Sequence, residues 1–268
     1  MNTIAVPIAF QARLVRTELV KGLRLMWRRR SMVVVAAIVY GLSYLGINLF
    51  IGGGHLVKDL MVRTLPALLA LMVASTAAVE GTAGIAEEIN GGTLEQTRLS
   101  PASSQLQAFG RMSALAIEGL VVAIVLGIVF VFGVGLDINP HPAVLIPTGL
   151  TVLDALGYGL IMTALVVRVA SIGAISHVGT MAIMAFGGML IPISLFPHGL
   201  QVFAKFIPTA LGVQAINTTL ACHGLGATWS DGTLPWLLVH TGVVLTGGFS
   251  LYVINIRRAQ REGGLTPR

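Results

Sequence analysis

Charge is what this chain has least of. Of its 268 residues only 10% are Asp, Glu, Lys or Arg, against roughly 25% in a soluble domain. So little polar surface cannot cover a globule in water, and a soluble catalytic domain is excluded. Cysteine occurs once: Cys222 has no second thiol in the chain for a disulfide or a thiolate metal site. The lysines Lys21, Lys58 and Lys205 follow Val, Val and Ala. No Gly-Lys-Ser/Thr run exists to cradle phosphates, so a P-loop is excluded as well. The histidines, His55, His141, His177, His198, His223 and His240, are scattered and form no H-E-x-x-H pattern. No glycine pair has the G-x-x-x-G spacing of close-packed membrane helices. No internal repeat or low-complexity tract is present.

What the chain has instead is apolar length. Hydrophobic residues make up 55% and the mean hydropathy is +0.86. A hydrocarbon core of about 30 Å needs roughly 20 apolar residues in a helix. Six segments meet that need: Ser31–Gly52, Met61–Ala83, Met112–Leu136, Ala143–Val167, Val169–Ile191 and Leu234–Ile256. The first run starts after Arg28-Arg29-Arg30 and stays uncharged to Lys58. That exceeds the roughly 7–15 residues of a signal-peptide core, so it is read as a retained span. The stretch Pro192–Cys222 is apolar but interrupted by Pro192, Pro197 and Pro208. Proline removes a backbone donor and clashes with the preceding turn, so short re-entrant helices are expected there. Three parts result: 1–30, an amphipathic interfacial helix and N-terminus; 31–256, a six-span transmembrane domain; and 257–268, a tail.

Six spans put both termini on one side, and the basic residues choose which. Arg13, Arg16, Lys21, Arg24, Arg28, Arg29, Arg30, Arg98, Arg111, Arg168, Arg257, Arg258, Arg261 and Arg268 share the terminal side; Lys58, Arg63 and Lys205 lie opposite. The positive-inside rule makes both termini cytoplasmic. The same placement accounts for the net charge of +6 without a nucleic-acid partner. Before the first span, Ile8, Ala12, Val15, Leu19, Leu23 and Met26 share one helical face. Arg13, Arg16, Lys21, Arg24 and Arg28 take the other, the pattern of a helix in the headgroup layer among membrane lipids.

The most informative stretch is the loop between the second and third spans, residues 84–101. Gly91-Gly92 permit a break. Thr93 and Gln96 form a T-x-x-Q capping box that starts a short helix displaying Glu95, Gln96 and Arg98. Ser100-Pro101 ends that helix and caps the next one. This stretch resembles the permease subunits of type-2 ABC exporters. The family's coupling-helix pattern, which docks on the ATPase, is matched by Glu87-Glu88, Gly92-Thr93-Leu94-Glu95 and Ser100-Pro101, with one extra glycine from Gly91-Gly92. The N-terminal amphipathic helix, the six spans and the proline-rich segment after the fifth are similar too.

The resemblance implies an all-α integral membrane fold: six transmembrane helices, an N-terminal amphipathic interfacial helix, a cytoplasmic coupling helix and short extracellular re-entrant helices. It implies a multi-pass permease of the plasma (inner) membrane, with ATPase-coupling residues Glu87, Glu88, Gly92, Thr93, Leu94, Glu95, Gln96, Arg98 and Pro101. No cofactor is expected on this chain; ATP and Mg belong to separate ABC ATPase subunits. The second permease copy would be identical or related. Relatives move drugs, natural products, lipids and polysaccharides. With 6% aromatics, the chain has few platforms for sugar rings, which favours outward export of a small hydrophobic or amphiphilic molecule. The alternatives are a lipid-linked polysaccharide exporter and a non-transporting membrane scaffold.

Four ionisable residues fall inside predicted spans, where a charge costs at least roughly 2.5–3.5 kcal/mol. Asp154, near the middle of the fourth, is expected either to serve the transport path or a dimer contact, or to bond to a neighbouring helix. Glu80 and Glu118 are expected to cluster with Arg111. His177 is expected to be a satisfied, buried imidazole.

Overall fold

An α-helix satisfies its backbone donors and acceptors within its own segment, which is why apolar runs in lipid fold as helices. The computed structural model describes residues 8–91, 104–168 and 172–261, and the regular structure among them is all helical. The amphipathic stretch forms α1 (Ile8–Arg28), and one turn residue, Arg29, separates it from α2 (Arg30–Ile51). A turn through Gly53 and Gly54, both at positive φ, returns the chain into α3 (Lys58–Ser75). A π-helical turn, Thr76–Glu80, then leads into α4 (Gly81–Asn90). α5 (Ser104–Ile128) runs into a second π turn, Val129–Gly133, and a short loop precedes α6 (Leu145–Arg168). There follow α7 (Ile172–Phe186), α8 (His198–Ala204), α9 (Ala210–Cys222), α10 (Gly226–Ser230) and α11 (Thr233–Arg261).

Among the described residues five helical stretches are long and apolar enough to cross a membrane: Arg30–Ile51, Lys58–Ile89, Ala108–Gly133, Pro142–Arg168 and Thr233–Arg258. The all-α integral membrane fold expected from the sequence is therefore present. The fifth expected segment, Val169–Ile191, is shorter than its apolar run: α7 has 15 residues, a rise of roughly 22 Å. It stops because Gly188 turns at φ 92, just beyond the last helical bond, from the Gly187 amide to the Ile183 carbonyl at 2.7 Å.

The centre of the bundle is the α3 rod, whose Leu65, Leu68 and Leu71 are fully buried. Single glycines bring its neighbours close, without any G-x-x-x-G pair. A Cβ on Gly159 of α6 would sit 2.7 Å from Ala77, and one on Gly157 would sit 2.8 Å from the Leu245 amide of α11. Lipid gives no hydrophobic drive between helices, so such close approaches carry the packing. α2 is the outlier, with Val34, Val35, Ile38, Val39 and Leu42 all more than half exposed. α1 does not stand apart from the bundle. Its Gly22 abuts Ala114 of α5, and a Cβ on Gly110 of α5 would meet Glu18 at 2.7 Å. Arg13, Arg16, Lys21 and Arg24 stay exposed on its far side.

The proline-rich segment is two helices and not one span. Side-chain and backbone contacts fix the direction of α9 against α6 and the interhelical loops. Its first turn lies at Asp154, Gly212 abuts Thr151, Asn217 donates to the Arg63 carbonyl at 2.8 Å, and His223 meets Asn139 at 3.0 Å. α9 thus starts at the middle of α6 and rises to the end where α2 and α3 are joined. The turn before it, residues 205–209, is the apex of a hairpin with α8, with Thr209 buried and Phe206 exposed.

Candidate functional site

Two groups of polar side chains stand where an apolar bundle has most to lose from them. The first lies at the end of the bundle that carries α1 and the close of α4. α4 ends as the paired glycines lead one to expect: the Gly91 amide bonds to the Glu87 carbonyl at 2.8 Å. Glu87, in that last turn, is exposed. Glu88, one residue on, is bound by the Arg111 guanidinium of α5, both side chains being about one-fifth exposed. This pair ties the outgoing end of the α3–α4 rod to the incoming helix α5. It clamps the segment between them at both roots. Gly92, Thr93, Leu94, Glu95, Gln96, Arg98 and Pro101 lie outside the described residues.

The expected cluster of Glu80, Glu118 and Arg111 is resolved differently. Arg111 belongs to Glu88, and the cation that serves Glu80 and Glu118 is Arg29, the corner between α1 and α2. Its guanidinium pairs with Glu80 at the end of the first π turn and lies 3.6 Å from Glu118 of α5. Glu118 is 4% exposed. In sequence Arg29 is one of three adjacent arginines; Arg28 and Arg30 are exposed, and Arg30 stacks on Trp27 at 5.5 Å. Position on the helix turn selects Arg29 from that triplet, and composition alone does not reveal it.

The second group is in the middle of the bundle. Asp154 of α6 is 1% exposed. One carboxylate oxygen lies 2.8 Å from Nδ1 of His240 in α11, and the other accepts the Thr209 amide at 2.7 Å. Three elements, α6, α11 and the hairpin apex, therefore meet on one carboxylate. Asp154 thus bonds to neighbouring helices, as one of the two sequence readings held. Thr209 is held at φ 71, a region that β-branched residues rarely adopt, and that turn aims its amide at the carboxylate. Its hydroxyl is buried without a partner. Sequence reasoning missed His240, whose only signal was an imidazole inside an apolar run.

His177 is not buried. It lies on the open face of α7 beside Val178 and Met181, which are 67% and 64% exposed. The helix turns its other face, with Ser176, Thr180 and Ile183, toward the bundle.

Residues 13–220, well over half the chain, match the model of the family described as ABC-2 type transporter. A comparison with curated proteins finds no match.

Proposed function

Since the chain belongs to the ABC-2 type transporter family, and so is a multi-pass permease subunit that pairs with an ABC ATPase, we propose that it moves a small hydrophobic or amphiphilic molecule outward. The observation that carries the reading is the family match itself, which spans the Glu87–Pro101 motif. In this reading residues 92–101 form the coupling helix, and the two roots clamped by Glu88 and Arg111 make it a stiff lever. ATP and Mg act in the partner subunit. The permease works as a dimer, of two copies or of related chains, in the plasma (inner) membrane. The open His177 face of α7 supports a second subunit, because ionisable side chains inside spans face protein or a wet cavity and not lipid. The low aromatic content supports a hydrophobic or amphiphilic cargo over a polysaccharide.

Sidedness follows from the basic residues, fourteen on the terminal side against three opposite, with both termini cytoplasmic and α7 as a sixth, shorter span. A cysteine placed at Asn139 is expected to react with an impermeant label from outside the cell, and one at Asn90 is not. The reverse pattern would invert the orientation and remove the coupling role of residues 92–101.

The coupling role is tested by charge reversal. Glu88 is committed to Arg111, so the acids offered to a docking surface are Glu87 and Glu95. Lysine at both positions is expected to weaken ATPase co-purification and transport together, by roughly the 2–5 kcal/mol of an unpaired interfacial charge. Membrane insertion should be unchanged. Wild-type values for both readouts would reduce this loop to a connector.

A further inference from the structure

Two cavities adjoin at the bundle end where α2 and α3 are joined, one walled by hydrocarbon and the other mixed. The first, about 430 Å³, is a lateral cleft between α3, α5, α6 and α9. Its wall is hydrocarbon apart from Thr148 and Thr151, and the Thr151 hydroxyl is already bonded to the Pro147 carbonyl at 2.6 Å. Two helix irregularities border it: Pro66 within α3 and the π turn Val129–Gly133 that closes α5. Deeper in, α3 and α5 touch at Gly119, where a Cβ would lie 2.8 Å from the Val73 Cα. The mouth is rimmed by Ile124, Ile128 and Phe132, which are 57%, 53% and 80% exposed. These belong to the outward apolar face of α5, so the cleft opens on lipid and not on water. From Leu120 to Phe132 it follows α5 for roughly 18 Å, close to one leaflet of a hydrocarbon core about 30 Å thick.

The second cavity, about 510 Å³, shares Ile138 and Leu220 with the first; its wall mixes apolar residues such as Val62 and Ile193 with the charged and amide side chains of Arg63, Asp137, Gln214 and Asn217. Arg63 and Asp137 are both exposed, and among the described residues neither stands in an ion pair. A cation and an anion on one wall, not neutralised by each other, match a head group that carries both signs.

We propose that the two cavities form one site for a phospholipid with a primary-amine head group, drawn from the adjacent leaflet. An acyl chain fills the apolar cleft, the head passes over Ile138 and Leu220, the phosphate meets Arg63 and the ammonium meets Asp137. The site lies within a single subunit. It requires no ATP and does not rest on the identity of the exported cargo.

The test uses the whole permease in nanodiscs doped with phosphatidylethanolamine, phosphatidylcholine or phosphatidylglycerol, each carrying a photoactivatable acyl chain. Crosslinks are mapped by mass spectrometry, and labelling of the lipid-facing stretch Val34–Leu42 serves as reference for intact insertion. Phosphatidylethanolamine is expected to label residues 120–132 and 216–220 at least fivefold above that reference, and severalfold above the other two lipids. Gly127→Leu, whose Cβ has ordinary clearance of 3.5 Å to Leu69 and whose side chain would extend into the cleft, should abolish the excess and leave the reference unchanged. Arg63→Gln should lower cleft labelling by all three lipids, and Asp137→Asn should remove the preference for the amine head group alone. Cleft labelling no higher than the reference, or unaffected by Gly127→Leu, would overturn the site. Equal labelling by the three lipids would overturn the head-group assignment. Labelling that disappears on dimerisation would show that a second copy fills the cleft, and would overturn the proposal too.

Discussion

Replacing Asp154 with alanine is expected to destabilise the protein by about 3 kcal/mol. The carboxylate is fully buried and serves two partners, His240 and the Thr209 amide. Removing one member of a buried pair strands the other, at roughly 3–5 kcal/mol, and the slight exposure of the His240 side chain, 14%, puts the expectation at the lower end. Size-exclusion thermostability in detergent is the measurement, with a fall in the apparent midpoint of several degrees. Asp154→Ala combined with His240→Leu separates pairing from mere bulk. The double variant should recover part of the loss, because an apolar pair of similar shape is nearly neutral. The remaining deficit, about 1–2 kcal/mol, is the unsatisfied Thr209 amide. A single variant as stable as wild type, or a double variant no better than the single, would show that the junction contributes little.

The second large effect is expected at Arg29. Methionine there keeps much of the stem and removes the charge that Glu80 and Glu118 share. Arg29 and Glu80 are each more than a third exposed, so solvent screens that half of the network, and the penalty rests on buried Glu118. A loss of about 2 kcal/mol follows. The loss should also be local. With the corner untied, trypsin should cut after Arg24 and Arg28 severalfold faster, whereas cleavage after Arg257 serves as an unaffected control. Glu118→Gln in the Arg29→Met background should restore much of the stability. Arg29→Lys should fall between, because an ammonium lacks the planar fork that reaches two carboxylates. Unchanged proteolysis in Arg29→Met would mean that α1 is held by its packing on α5 alone.

The contrast between these two sites explains what the sequence could disclose. Spans, the amphipathic α1, the stop at Gly91 and the broken stretch after Pro192 are recorded locally, as hydropathy, periodicity, glycine and proline. They follow from backbone chemistry that any neighbourhood would impose. Asp154 was conspicuous for the same reason, a carboxylate amid apolar residues. Its partners were not, because His240 lies 86 positions away and the Thr209 amide belongs to a threonine like any other until its φ is known. Arg29 was hidden by its neighbours: in Arg28-Arg29-Arg30 all three residues satisfy the positive-inside bias equally, and only the bend between α1 and α2 sends one of them inward. His177 was misread in the opposite sense, since burial in one chain cannot be judged from a helix that leaves a whole face unpartnered.

The π turn at Thr76–Glu80 has a consequence for how changes of length act on this protein. Each residue of an ordinary helix advances the azimuth by about 100°, and a π turn accommodates one surplus residue. The two parts of the Lys58–Ile89 rod therefore have separate phases, offset by that amount. A wheel drawn at a single pitch from Met61 onward would point Glu88 in the wrong direction. Deleting one residue between Thr76 and Glu80 would hardly shorten the rod. It would restore a continuous α-helix, so α4 would keep nearly its heading against α3 and Glu88 would stay near Arg111. At this position a one-residue deletion is absorbed, whereas the same deletion within α3 or α4 would turn everything beyond it by roughly 100°.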